Sequence, residues 1–286
     1  MRRVVAGRVA AAIAACAVAA AGAGCGAPAV PDPVFERIRT VTDDPDAVRA
    51  IAAMLSAYGG LDTWAARRNA EYRFSLALYA GGATPQRTTL QVHRLALGPD
   101  VHLEMEDLAP APERVVRIDG DVVVVGGDGA GDEAGDTEFT RAYGRAIRWD
   151  FRLPWCLLDP GTIVMTRGVR TPVAAGPVPP GPCDVLRLRL DTGSPGSGSD
   201  DWQDLYISRR SHLLELVHSY RAGPNDFRLS VLADHRDFDG IRIATRRETH
   251  ASDAAAAVGR LEAVAEYTDV RFDVPWESAP EPDPGE

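Results

Sequence analysis

Lysine is absent from this chain. All 31 basic side chains are arginine, set against 41 acids for a net charge of −10. No stretch concentrates the arginines as a nucleic-acid-binding face would, so DNA and RNA are poor partner classes. The arginine-only usage is read as compositional bias rather than chemistry. Catalytic signatures are missing too: no Gly-x-Ser-x-Gly elbow, no phosphate-binding P-loop and no His-Glu-x-x-His zinc helix. Cysteine is scarce, with four in 286 residues and only Cys156 and Cys183 beyond residue 25. Nor is there a permanent membrane span. The uncharged run Val9 to Ala23 is Ala-rich and short of the roughly 20 apolar residues that crossing a bilayer requires.

That run, preceded by Met1-Arg2-Arg3 and Arg8, has the build of an export signal instead. It ends in Ala21-Gly22-Ala23-Gly24-Cys25-Gly26, which resembles a bacterial lipobox apart from Gly22, where leucine is usual. Cys25 is thus the expected lipidation site, through which palmitate-type acyl chains would anchor the protein to the membrane. Cys16, after Ile13-Ala14-Ala15, is the alternative, and a plain signal peptide with an incidental cysteine is the other. The expected division is a signal peptide at 1–24, a Pro-containing tether at 25–44, a single domain at 45–276 and a disordered Pro- and acid-rich tail at 277–286. An exported chain with two remaining cysteines leaves open both a Cys156–Cys183 disulfide and two free thiols.

Within the domain, Asp44-Pro45 opens a helix whose apolar stripe is Val48, Ile51, Ala52, Leu55 and Tyr58, closed by Gly59-Gly60. A second short helix, from Thr63 to about Arg68, carries Trp64. Two-residue alternation then takes over, as in Tyr72, Phe74, Leu76 against Arg73, Ser75, or Leu103, Met105 against His102, Glu104. The segment Arg87–Leu97 switches face near His93-Arg94, as a bulge would allow. Asp119-Gly120 and Asp239-Gly240 read as hairpin turns, and Gly259–Tyr267 and Val270–Val274 read as two strands that close the sheet. From Thr137 to Trp149 the spacing predicts a helix with Phe139, Tyr143, Ala146, Ile147 and Asp150 along one side. It runs into Trp149–Gly161, where two Trp, one Phe and three Leu stop at Asp159-Pro160-Gly161, an apolar plug between two sets of strands. About ten or eleven antiparallel strands make the fold class mainly β (α+β). The acidic cluster Asp234–Asp239 contains His235 and suggests a divalent metal, but solvated acids at a strand end and turn are the ordinary reading, and no metal or other cofactor is expected.

Several blocks in order carry a resemblance: Gly60-Leu61-Asp62-Thr63-Trp64, Phe151-Arg152-Leu153-Pro154-Trp155-Cys156-Leu157-Leu158-Asp159-Pro160, Asp204-Leu205-Tyr206-Ile207, Phe238-Asp239-Gly240-Ile241 and Val270-Arg271-Phe272-Asp273. Together they resemble the outer-membrane lipoprotein-sorting (LolA/LolB-like) superfamily, in a divergent branch of bacterial lipoproteins. The resemblance implies a half-open antiparallel β-barrel whose hollow holds lipid or lipoprotein acyl chains, is closed by helices at the N-terminus and mid-chain, and performs no chemistry. It also implies a cell-envelope protein, at the outer membrane facing the periplasm. The candidate lining is Tyr72, Phe74, Leu76, Leu103, Met105, Leu186, Leu188, Phe227 and Leu229, with Trp149, Phe151 and Trp155 at the lid. Two other readings remain: a filled core serving as a structural or interaction module for an envelope protein partner, and a metal-dependent hydrolase at Asp234–Asp239.

Overall fold

A computed structural model describes residues 33–98, 102–108, 115–120, 122–126, 137–172, 181–190, 201–222 and 225–276. Cys25, Cys16, residues 25–32 of the expected tether and the tail from 277 lie outside the described residues; from Pro33 the expected tether is instead folded, helical over Pro33–Arg39 with Ile38 fully buried. The chain opens with helices α1 (Pro33–Arg39), α2 (Pro45–Ala57) and α3 (Leu61–Ala65). The Asp44 carboxylate accepts from the free amides of Asp46 and Ala47, so α2 begins where the sequence puts its cap. Its stripe of Val48, Ile51, Met54 and Leu55 is buried, continuing into Tyr58. Gly59 has φ +110, and a Cβ there would collide with the Gly240 carbonyl, so only glycine lets the helix end meet this turn.

Twelve strands follow, one more than the upper expectation. The first five are β1 (Asn69–Leu78), β2 (Arg87–Ala96), β3 (His102–Asp107), β4 (Val115–Asp119) and β5 (Val122–Gly126). Then come α4 (Thr137–Arg152) and a single 3-10 turn, Trp155–Leu158. The remainder are β6 (Thr162–Arg170), β7 (Cys183–Leu190), β8 (Trp202–Ser208), β9 (Leu214–Arg221), β10 (Asp226–Phe238), β11 (Ile241–Ala251) and β12 (Leu261–Phe272). They form one unclosed antiparallel sheet in the order β5-β4-β3-β2-β1-β12-β11-β10-β9-β8-β7-β6. Two meanders are therefore stitched together by the β1–β12 pair, the one junction between strands far apart in sequence. The expected half-open antiparallel sheet with helices is what the chain forms.

This order dictates where α4 goes. It connects β5 to β6, and those are the two outer edges of the sheet. Its path can be followed by contacts. A Cβ on Gly144 would run into Ile118 of β4 and come within 3.2 Å of Leu103 Cδ2 on β3. Further along, Phe151 stacks on Tyr72 of β1, and Asp150 pairs with Arg247 of β11. The helix thus crosses the sheet's inner face from one half to the other. Gly144, Ile147 and Phe151 form its buried stripe, whereas Ala146, expected on that side, faces solvent.

Two expectations about strands are corrected. The register of β2 against both β1 and β3 is unbroken, so there is no bulge near His93. His93 itself occupies an inward position, fully buried, and the face switch was only a polar side chain in a core site. The bulge lies in β12 instead, where Asp269 and Val270 together oppose the single residue Tyr72. It fuses two segments read as separate strands into one.

The sheet is covered on both sides. Helices and the plug build the main apolar core on the inner face with Tyr72, Leu103, Leu186, Leu188, Leu205 and Val217. On the outer face of β7–β10 a smaller cluster of Cys183, Val185, Tyr206, Leu216, Leu229 and Val231 is capped by Ala256 and Val258.

Candidate functional site

The apolar plug sits where the sequence suggested, between α4 and β6 and over the inner face. It is not loosely apposed. The Trp155 ring stacks on Trp64 of α3 with centroids 4.0 Å apart and planes 5° from parallel, and meets Tyr58 edge-on at 5.8 Å. Phe151 stacks on Tyr72 at 4.4 Å. Of the candidate lining, Tyr72, Phe74, Leu103, Met105, Phe151, Trp155, Leu186 and Leu188 are brought together in this one core, with Leu76 and Trp149 half-buried at its margin. Phe227 and Leu229 are not. Leu229 belongs to the outer cluster, and Phe227 stacks with His218 and tilts against Tyr220 there. On β10 it is Leu232 that reaches the inner core. Apolar residues on both faces of this strand made its alternation a poor guide to which way is in.

The inner face is closely packed by the helices and the plug. A crevice of about 20 Å³ lies there, bounded by Tyr58, Asp150, Phe151, Leu153, Leu232, Ile243, Ala244, Arg247 and Tyr267. That holds about one or two waters and no acyl chain. A charge pair, Arg247 with Asp150, stands in its wall, and the plug's far end is tied by Arg152, whose two terminal nitrogens each donate to an Asp159 oxygen at 2.8 Å. Sequence reading missed both pairs, although charged residues inside an apolar stretch were the available signal. The seam also carries strain: the indole N–H groups of Trp149 and Trp155 are buried without an acceptor. Each such orphan typically forfeits about 1–3 kcal/mol.

Burial governs the titratable groups nearby. Desolvation pushes the phenols of Tyr58, Tyr72 and Tyr267 far up, so they act as neutral hydrogen-bonding rings. His93 falls to about 3 for the same reason, while its two nitrogens contact the Tyr72 hydroxyl at 3.3 Å and Gln91 Oε1 at 2.8 Å.

The expected alternatives for the two cysteines resolve to free thiols. Cys156 lies in the inner core and Cys183 in the outer cluster, on opposite faces of the sheet. Burial lifts the Cys183 thiol to about 11 and pushes the Cys156 thiol well above its ordinary value, so neither is a ready nucleophile. The Asp234–Asp239 cluster is dispersed by the turn it occupies. His235 Nε2 lies 3.0 Å from the Tyr58 hydroxyl, and Asp237 accepts from the Gly240 amide. No group of three His, Cys, Asp or Glu side chains among the described residues is arranged to hold a metal.

No family model matches the chain, and no curated protein does. Solved structures do. A DUF1329 family protein from Desulfovibrio piger aligns over 79% of this chain and 92% of its own, with a TM-score of 0.49 and 12% identity. A LolA superfamily protein from Nitrosomonas europaea aligns over 79% and 94%, at 0.47 and 10%. An outer membrane lipoprotein-sorting protein domain from Vibrio parahaemolyticus aligns over 80% and 93%, at 0.43 and 9%. The chain is similar to LolA-like structures, the likeness that its motifs led one to expect.

Proposed function

We propose that this is a non-catalytic envelope lipoprotein, anchored through Cys25 to the outer membrane on its periplasmic side, that binds lipid or lipoprotein acyl chains on the inner face of its sheet. The observation that carries the reading is the crossing segment. An apolar sheet face is covered by a connection joining its two edges, and that connection is pinned by two aromatic stacks and the Arg247–Asp150 charge pair rather than by strand hydrogen bonds. On this reading the packed inner face admits a ligand when α4 and the plug are displaced. The apolar area it covers then replaces the area they covered, at about 25 cal/mol per Å². The orphaned indoles of Trp149 and Trp155 lower the cost of leaving the closed state.

Native mass spectrometry of the gently purified full chain tests this, alongside uptake of a fluorescent fatty acid by the chain and by Phe151→Ala. Retained lipid in the wild type, or uptake that rises when Phe151 no longer fills the space beside Tyr72, supports the reading. A chain that neither retains nor takes up lipid in either form refutes it.

The crevice of about 20 Å³ favours a second reading, an interaction module with a permanently solid core. Crosslinking in cells that captures one envelope protein and no lipid supports that one.

A further inference from the structure

We infer that an arginine-lined cleft, where the sheet parts between β11 and β12, is a binding site for a phosphate-bearing ligand. This inference is independent of the apolar-ligand reading. The two strands are hydrogen-bonded only from Arg246–Glu266 to His250–Leu261. Beyond that, the start of β11 stays with β10 and the end of β12 stays with β1. The β12 bulge, with Asp269 in the left-handed region at φ +53, belongs to this parting.

The result is an open cleft of about 860 Å³ whose charged lining is Arg73, Arg94, Arg236 and Arg271 against only Glu71 and Asp269. An excess of cations in one cleft runs against the net charge of −10 of the whole chain. Arg94 and Arg271 are neutralised by acids, so the capacity to take up an anion rests with Arg73 and Arg236. Glu71 is shared by Arg94 and Arg271, and Arg94 is further held by Glu104 and Glu106. Arg73 and Asp269 make only a loose pair at 3.4 Å with both side chains mostly in solvent. Arg236 is exposed on β10, and no hydrogen bond or ion pair engages it among the described residues.

Guanidinium forks on separate strands, around a space far larger than one ion, suit a tetrahedral anion that can be gripped by paired N–H groups from several sides. The remaining wall, Tyr72, Val92, Phe238, Tyr267, Thr268 and Val270, is uncharged and largely apolar, so the ligand carries an uncharged body beside its phosphate. Both a soluble phosphate ester and a phospholipid headgroup have that chemistry.

The test uses the full chain and its Arg73→Gln/Arg236→Gln variant, which leaves the Glu71–Arg94–Arg271 network in place. Glycerol 3-phosphate binding is measured by calorimetry. Sedimentation is measured with phosphatidylglycerol vesicles and with phosphate-free digalactosyldiacylglycerol vesicles. Both chains carry the same leader, whose insertion cancels in the comparison. At least tenfold weaker binding by the variant is expected, to glycerol 3-phosphate for a soluble ester or to phosphatidylglycerol vesicles alone for a headgroup, and the wild-type affinity is expected to fall as salt rises. If the variant unfolds earlier than the wild type, displacement of the wild type from its bound form by inorganic phosphate decides instead. The inference is overturned by no phosphate-dependent binding, by equal binding of the variant, by equal sedimentation with phosphate-free vesicles, or by failure of phosphate to compete.

Discussion

Replacing Gly144 by alanine is a direct probe of whether α4 is docked on the sheet as described. In an exposed helix interior the change would stabilise by about 1 kcal/mol, because glycine is the poorer helix former by that margin. Here the added methyl meets Ile118 Cδ1 closer than real Cβ atoms approach their neighbours, and stands 3.2 Å from Leu103 Cδ2. Ile118 is 1% exposed and has little room to retreat. Forcing a methyl into a packed core costs about 1–3 kcal/mol, so the net expectation is a destabilisation of about 0–2 kcal/mol once helix propensity is set against it. Ile118→Val removes the colliding carbon and alone costs about 0.5–1.5 kcal/mol. In the double variant the new methyl occupies the space vacated by Cδ1, so the two losses do not add. Urea unfolding at constant m, read as midpoint shifts through a double-mutant cycle, should give a favourable coupling of about 1 kcal/mol or more. Additivity within about 0.5 kcal/mol, or a stabilising Gly144→Ala, would refute the docking of α4 against β3 and β4.

Other consequences of the packing are open to measurement. His93, driven to about 3, and His235, driven to about 4, stay neutral in the fold while the unfolded chain protonates near 6.5. Their stabilisation is complete above about 6.5 and drains as pH falls towards 4, by about 1.4 kcal/mol per pH unit for each histidine. Urea midpoints between pH 7.5 and 5 should therefore fall, and His93→Gln should flatten the slope; a pH-independent midpoint contradicts their burial. Asp204 is 2% exposed and accepts both arms of Arg187, which also lies 3.8 Å from the centre of the Trp202 ring. Asp204→Asn should cost about 3 kcal/mol and alter Trp202 emission, while Asp204→Leu with Arg187→Met should come close to neutral; equal losses in the two variants would mean that the pair's charge is unimportant. Peptide mapping after thiol labelling should find Cys156 and Cys183 unmodified in the native chain and both modified in urea, and a disulfide between them would contradict their placement on opposite faces.

How much of this was readable in the residues varies with how locally each feature is determined. Asp44, Pro45 and the glycine pair mark α2 by chemistry confined to a few positions, and the sequence located it to within a residue or two. Strand alternation was equally local, which is why Tyr72, Leu103 and Leu186 point inward as expected. Inward and outward could not be told apart on β10, because Leu229 and Leu232 are both buried, one under the Ala256–Val258 segment and one under the helices. His93 misled for the converse reason: its buried hydrogen bonds to Tyr72 and Gln91 are satisfied by partners on its own strand and the next, which no periodicity reveals. Whether the interior is hollow was out of reach, since it depends on how the volumes of α3, α4 and the plug add up against one sheet.

The strand order, rather than any motif, explains why an apolar plug lies across the inner face. Had the chain closed its sheet edge to edge, β5 and β6 would pair and a short turn would suffice. Instead β1 pairs with β12, which puts β5 and β6 at opposite margins, and the connection has to traverse the width of the sheet. A 16-residue helix reaches about 24 Å at 1.5 Å per residue, and the 3-10 turn carries the chain on towards β6. A traverse over an apolar face must itself be apolar on one side, which accounts for Ile147, Phe151 and Trp155 without invoking a ligand. What that requirement leaves unexplained is the charge under the traverse. Asp150 and Arg247 face each other beside the residual crevice, where two apolar residues of similar volume would often be as stable or more so. A retained ion pair at the seam, beside two indoles without acceptors, is where the proposed opening would part the covering segment from the sheet. Arg247→Leu with Asp150→Leu should therefore raise the unfolding midpoint and suppress fatty-acid uptake together. A rise in stability with uptake unchanged would detach the pair from any opening of the lid.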